Sequence, residues 1–336
     1  MMRRRRIESM EVCIFSFIFS MLALSGCAGK DEPLPESPPA NIQASEEPAE
    51  LKDISGEEAV QTEEPAADDS RKESNEPAIE EMDWSDYFDG INGAAVLYDP
   101  MEKRYQIYNQ ETALTRRSPC STFKIISSLT ALECGIIVPD DSVRTWSGET
   151  FWNEEWNRDI DFSDAFHASC VWYFREVIDE IGMDRMQQEL NRLSYGNCDI
   201  SDWEGHLNTN NSNPALTGFW LESSLQISPK EQAEVMERIF GEYTDYSEET
   251  RKQLEQVMRL SDSGETDFMI YGKTGMGKAV GIVVDAWFTG FADHADRRIY
   301  FCVYMGETNN QEVSSARARE TAVKILSDFG WDESDG

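Results

Sequence analysis

The sequence predicts an α+β domain built on one antiparallel sheet flanked by helices. Three observations carry this. Two short strand-like runs, 94–98 and 104–108, open the apolar part of the chain. Three more, 267–272, 281–291 and 298–305, come near its end, rich in β-branched and aromatic residues with turn residues between them. Between the two sets, apolar residues recur at helical spacing. Strands at both ends of a helical middle imply that the terminal strands share a sheet. The chain has 336 residues, 40% of them hydrophobic, enough for one large domain or two small ones.

In chain order, residues 1–26 read as an export signal: Arg3 to Arg6 make a positive start, Val12 to Leu24 an apolar stretch, and Ser25 and Gly26 are small residues before Cys27. The apolar stretch is short for a membrane-spanning helix. Residues 27–83 change composition sharply, with Pro, Glu, Asp, Ala and Ser dominant. Such a segment buries too little apolar surface to offset chain entropy, so a disordered, self-repelling acidic linker is expected. The folded domain is expected over 84–336, from Trp84 onward.

Within it, Ala94–Tyr98 and Arg104–Tyr108 pair as a hairpin around Asp99–Lys103. Pro119, tolerated at the start of a helix but not in its middle, opens a helix whose apolar residues include Phe123, Ile125, Ile126 and Leu129. Residues 140–160, rich in Trp, Asp, Glu and Asn, read as irregular surface structure. One helix is expected over 161–182 and another over 184–193, followed by a turn at Tyr195-Gly196-Asn197 and a polar loop at 208–214. Helices over 229–241 and 247–260, the three strands, and a closing helix over 318–326 complete the domain.

Charge and cysteine usage exclude several functions. The formal net charge of −34 argues against nucleic acid or anionic lipid as a partner. None of the three histidines has metal-ligand spacing and no C-x-x-C occurs, so no metal is expected. Few histidines also leave little room for a Ser-His-Asp triad.

The chemistry concentrates in four short segments. Ser121 and Lys124 stand three apart at the start of the Pro119 helix, which puts hydroxyl and amine on neighbouring positions of one turn. Helix N-termini also carry free N–H groups that favour developing negative charge, so nucleophile, base and oxyanion donor come from one segment. Ser169, in Ser169-Cys170-Val171, is placed to carry a proton or hold a lysine. Lys273-Thr274-Gly275 ends a strand-like run; lysine and threonine suit a substrate carboxylate, and Gly275 and Gly277 allow close approach of a substrate to the backbone. Trp220 sits in an apolar patch after the polar loop.

Taken together, S-T-F-K at 121–124, S-x-V at 169–171, Y-G-N at 195–197, F-W-L-E at 219–222 and K-T-G at 273–275 resemble the penicillin-recognising serine enzymes, and more narrowly the class D serine β-lactamases. The resemblance covers Trp84 to Trp331. It implies a β-lactamase/transpeptidase-like fold with a helical subdomain, and hydrolysis of β-lactams through a Ser121 acyl-enzyme. It also implies that Lys124 is carboxylated by CO₂ or bicarbonate to a general base, steadied by the Trp220 indole, with no other cofactor. Ser169 would protonate the lactam nitrogen, and Lys273, Thr274 and Gly275 would meet the substrate carboxylate or Ser169. The backbone N–H groups of Ser121 and Met276 would form the oxyanion hole, and Val171 would line the substrate cleft. An arginine of the last helix binds the carboxylate in the family; Arg317 and Arg319 straddle the expected place, and Arg319 is taken for it.

Leu24-Ser25-Gly26-Cys27 resembles the bacterial lipobox, which implies a lipid on Cys27 and an exported, membrane-anchored lipoprotein that meets the membrane only through that lipid. Two features depart from the family pattern. The connection from Asn197 to Trp220 is long, and Cys120 and Cys170 lie beside the nucleophile and inside S-x-V. The alternatives are a β-lactam sensor acylated without efficient turnover, a penicillin-binding protein acting on peptidoglycan stems, and a surface lipoprotein that keeps the motifs without catalysis. Sensors of this kind hang from multi-span membrane proteins; the expectation of a signal and a tether alone favours the enzyme.

Overall fold

The structure, a computed structural model, describes residues 76–207, 212–260, 266–308, 311 and 313–331. The expected signal, Cys27 and nearly all of the expected linker lie outside the described residues, as do 208–211 of the polar loop. In chain order the elements are β1 (Ala78–Glu81), α1 (Ser85–Phe88), β2 (Gly93–Asp99), β3 (Arg104–Tyr108), α2 (Gln110–Ala113), α3 (Lys124–Glu133), α4 (Phe162–His167), α5 (Val171–Ile181) and α6 (Met183–Leu193). Then come α7 (Pro229–Phe240), α8 (Glu248–Met258), β4 (Met269–Ala279), β5 (Ile282–His294), β6 (Arg297–Gly306) and α9 (Ser315–Ser327). None of the described helices is long and apolar enough to cross a membrane.

The strands form one sheet in the order β1-β3-β2-β6-β5-β4, so the first hairpin and the last three strands do share it. The expected antiparallel sheet is mixed, because β1 pairs with β3 in parallel. β1 also precedes Trp84, the expected start of the fold. All four of its residues are exposed, so it carries no apolar alternation by which to be read.

Both sheet faces are covered. Ala94 and Val96 of β2 pack with the helices α3 to α8, while Ala95 and Leu97 face Ala318, Ala322 and Ile325 of α9. This is the period-two geometry of a strand buried on both sides, and it explains a continuous apolar run in place of alternation. α3 is buried from Lys124 to Leu132, which suits a helix lying at the centre of the molecule.

The expected helix over 161–182 is broken. α4 ends at His167, Ser169 has a φ of 56°, and α5 begins at Val171. The break exposes the carbonyl of Ala168, which accepts a hydrogen bond from the Trp156 indole at 2.9 Å. A buried tryptophan from the irregular stretch thereby satisfies a group that the helix abandons. Lys273-Thr274-Gly275, expected to end a strand, lies inside β4, which continues to Ala279. A two-residue turn then joins β4 to β5, with Val280 at φ 51° and Gly281 at φ 79°. Positive φ at both central residues is what a tight antiparallel hairpin demands, and a β-branched residue there carries strain.

Candidate active site

The nucleophile turn is a short 3₁₀ segment, Cys120–Phe123, that feeds directly into α3. It places Lys124 Nζ 3.1 Å from Ser121 Oγ. Lys124 is 1% exposed and Ser121 only partly buried, so the hydroxyl faces the cleft and the amine sits behind it. The Phe174 ring lies 5.4 Å from the amine, and Phe123 stacks on Trp220 at 6.1 Å. Burial in this apolar setting lowers the Lys124 pKa to about 8, so a sizeable neutral fraction exists near neutral pH.

The helix break and the strand supply a second serine–lysine pair. Lys273 Nζ donates to Ser169 Oγ at 2.7 Å across more than a hundred residues of sequence. The left-handed Ser169 turns its side chain out of the helical register toward β4. Lys273 is also buried, under the Phe166 ring, and its pKa falls to about 7 through burial first and the neighbouring Lys124 charge second. The influence of Lys124 on Lys273 places the two amines in one site.

Strand register explains the two glycines. Lys273, Gly275 and Gly277 share a face of β4. A Cβ at Gly275 would stand 2.9 Å from the Pro119 carbonyl oxygen and 3.0 Å from Thr122 Cγ2; one at Gly277 would stand 3.0 Å from Cys120 Sγ. On this face the glycines make room for the nucleophile turn. They let the edge strand lie against the Pro119–Thr122 turn that carries Ser121.

Two cavities flank this strand. Val171 and Met276 line one of about 330 Å³, together with Trp152, Leu216 and Leu221. Lys273, Thr274 and Arg319 line the other, of about 880 Å³. Arg317 is turned elsewhere, donating to Asp89 at 3.4 Å, which leaves Arg319 as the arginine of α9 that shares a cavity with Lys273.

Four further residues organise the site without having been assigned a role from sequence. Ser118 Oγ donates to the Trp220 carbonyl at 3.0 Å and accepts from the Glu222 N–H at 2.9 Å. Glu222 Oε1 in turn accepts from the Lys278 N–H at 2.6 Å. These bonds tie the Trp220 segment to the nucleophile turn on one side and to β4 on the other. The Phe166 and Phe174 rings lie over the Lys273 and Lys124 amines, at 5.6 and 5.4 Å. Glu222 closes the F-W-L-E motif, and the aromatic density of 162–174 is the signal by which Phe166 and Phe174 could have been found. Cys120 is fully buried, as is Cys170, and all five described cysteines are free thiols.

A mixed sheet with a helical layer on each face, and two serine–lysine pairs with buried amines where the central helix meets the edge strand, define the β-lactamase/transpeptidase-like fold. Residues 92–327 match the family model described as the penicillin binding protein transpeptidase domain, and the chain belongs to that family. It is 33% identical over 254 residues to Regulatory protein BlaR1 of Bacillus licheniformis, covering 75% of this chain and 39% of that protein, so the match spans about two fifths of BlaR1. To Probable beta-lactamase YbxI of Bacillus subtilis it is 30% identical over 253 residues, covering 75% of this chain and 86% of the relative. Among solved structures, the C-terminal domain of the Bacillus licheniformis BlaR penicillin-receptor aligns with a TM-score of 0.65 at 33% identity, over 76% of this chain and 97% of that one. The class D β-lactamase from Bacillus subtilis aligns at 0.63 and 30% identity, over 75% and 98%.

Proposed function

We propose that the protein hydrolyses β-lactam antibiotics through an acyl-enzyme on Ser121, and so confers resistance to them. The observation that carries this reading is the buried Lys124 amine, held 3.1 Å from the Ser121 hydroxyl with a pKa of about 8. Ser121 Oγ attacks the lactam carbonyl and its proton passes to the Lys124 side chain. The Ser121 and Met276 amides receive the negative charge that builds on the carbonyl oxygen. As the C–N bond breaks, Ser169, hydrogen-bonded to Lys273, delivers a proton to the lactam nitrogen. Thr274, Lys273 and Arg319 receive the substrate carboxylate. A water activated beside Lys124 then cleaves the ester and frees Ser121.

The Lys124 environment also suits carboxylation: the amine is buried, partly neutral, and bonded to a single hydroxyl. A carbamate there would supply an anionic base for both half-reactions, and Trp220, which packs on Phe123 one residue before it, is the proposed support. Forming the anionic carbamate from the ammonium releases two protons, one from the amine and one as CO₂ adds, so the dissolved CO₂ needed for half-maximal activity rises about tenfold per unit as pH falls toward 8 and about a hundredfold per unit below it. Nitrocefin turnover measured across pH and CO₂ checks this; a CO₂ requirement independent of pH contradicts it.

The identity to Regulatory protein BlaR1 favours a second reading, a sensor that is acylated without turnover. Nitrocefin separates the two. Steady hydrolysis that rises with bicarbonate supports the enzyme, a burst of one equivalent supports the sensor, and no reaction contradicts both. The proposed location is outside the cytoplasm, tethered by a lipid on Cys27. Cys27→Ser is expected to move the protein from the membrane fraction to the soluble one; retention in the membrane overturns the lipid anchor.

A further inference from the structure

The cavity beside Lys273 is larger than one substrate carboxylate requires, at about 880 Å³. Lys273 and Thr274 of β4 form one wall. Arg319 of α9 contributes at a second side, and His167, at the end of α4, with Arg259, just past α8, at a third. None of the described residues lining it is Asp or Glu. In a chain with 64 acids against 30 lysines and arginines, such a wall runs against the overall charge. Pairing deepens the contrast. Arg104, Arg144, Arg175, Arg297 and Arg298 each lie on a carboxylate, whereas neither Arg259 nor Arg319 forms an ion pair with a described residue.

We propose that this cavity is a two-anion site: Lys273, Thr274 and Arg319 take the substrate carboxylate, and Arg259 with His167 takes a second anionic group carried by the same molecule or by a separate small anion. The proposal rests on the reading of Lys273, Thr274 and Arg319 as the carboxylate site, but the second position is defined by Arg259 and His167, which that reading does not use. A guanidinium presents a planar fork of donors that matches carboxylate, sulfonate or phosphate oxygens in pairs. The chain's strong net negative charge repels anions, and this basic wall opposes that field where a dianion would bind. The ligand class is therefore a β-lactam with a second carboxylate or sulfonate on the ring side, or inorganic phosphate acting as a competitor.

Inorganic phosphate is the probe, titrated calorimetrically into the Ser121→Ala protein in low-chloride buffer, where no acylation chemistry intervenes. Binding is expected, and Arg259→Gln is expected to weaken it roughly tenfold, the loss of one charge-assisted pair. Arg185→Gln removes the same charge from an exposed position on α6 and is expected to leave phosphate affinity unchanged. Absence of phosphate binding, or equal weakening by Arg259→Gln and Arg185→Gln, overturns the second anion position. In the wild type, phosphate is expected to slow labelling of Ser121 by a fluorescent penicillin. Failure of all labelling would contradict the proposed function while leaving the calorimetric result to decide the anion site. A dianionic cephalosporin losing more kcat/KM than a mono-anionic penicillin in Arg259→Gln places the second anion on the substrate; equal losses place it on a separate anion.

Discussion

Ser121→Ala abolishes covalent labelling by penicillin and lowers β-lactam hydrolysis by on the order of 10⁴-fold or more. The size of the effect follows from the geometry. Ser121 is the hydroxyl in contact with the Lys124 amine, and the other site serine, Ser169, is bonded to Lys273. Ser169 stands just before the N-cap of α5 with its hydroxyl held by Lys273, whereas Ser121 lies within the turn that runs into α3 with its hydroxyl on Lys124. A variant that still binds penicillin covalently would mean that the two serines have been given each other's roles. Peptide mapping of labelled wild type and variant distinguishes these outcomes, and the fold is checked by an unchanged melting transition.

Lys124→Met lowers hydrolysis by on the order of 10³-fold, with no recovery on adding bicarbonate, because it removes the base and keeps the buried stem. The same substitution stabilises the fold. The unfolded chain holds the lysine proton up to its ordinary value near 10.5, whereas the folded chain releases it at about 8. Below pH 8 the folded state therefore bears a cost of roughly 3 kcal/mol, which fades as pH rises toward the unfolded value. In CO₂-free buffer the methionine variant is expected to gain about 1–3 kcal/mol of unfolding free energy at pH 7, the gain shrinking at higher pH. Denaturant titrations at several pH values measure it. An active variant contradicts the role of Lys124 as base, and a variant less stable at every pH contradicts a costly buried amine. This exchange of stability for activity is common where a site needs a group that the core disfavours.

What could be read from the sequence was what local chemistry determines. The Ser121–Lys124 turn follows from Pro119 and the apolar run behind it, and the hairpin Gly93–Tyr108 from two short strand-like runs around turn residues. What escaped was set by distant partners. Ala168-Ser169-Cys170 contains no helix breaker, so one helix was expected through it; the break exists because Ser169 is drawn to Lys273 and Trp156 covers the freed carbonyl. Gly275 and Gly277 were read as allowing close approach of a substrate; that they also make room for the nucleophile turn is a fact that only the placement of β4 against Pro119–Thr122 reveals. β1 escaped because an exposed edge strand needs no apolar pattern. The arginine of the last helix could not be chosen by spacing, since Arg317 and Arg319 differ only in what Asp89 and the Lys273 cavity offer them.

The central claim is that Ser121 is acylated by a β-lactam and then released. Intact-mass spectrometry after one equivalent of benzylpenicillin, in bicarbonate buffer at pH 8, tests it most directly. A transient adduct of penicillin mass is expected on the protein, located at Ser121 by peptide mapping, decaying to unmodified protein as penicilloate accumulates. An adduct that never forms, or one that forms and persists, contradicts it.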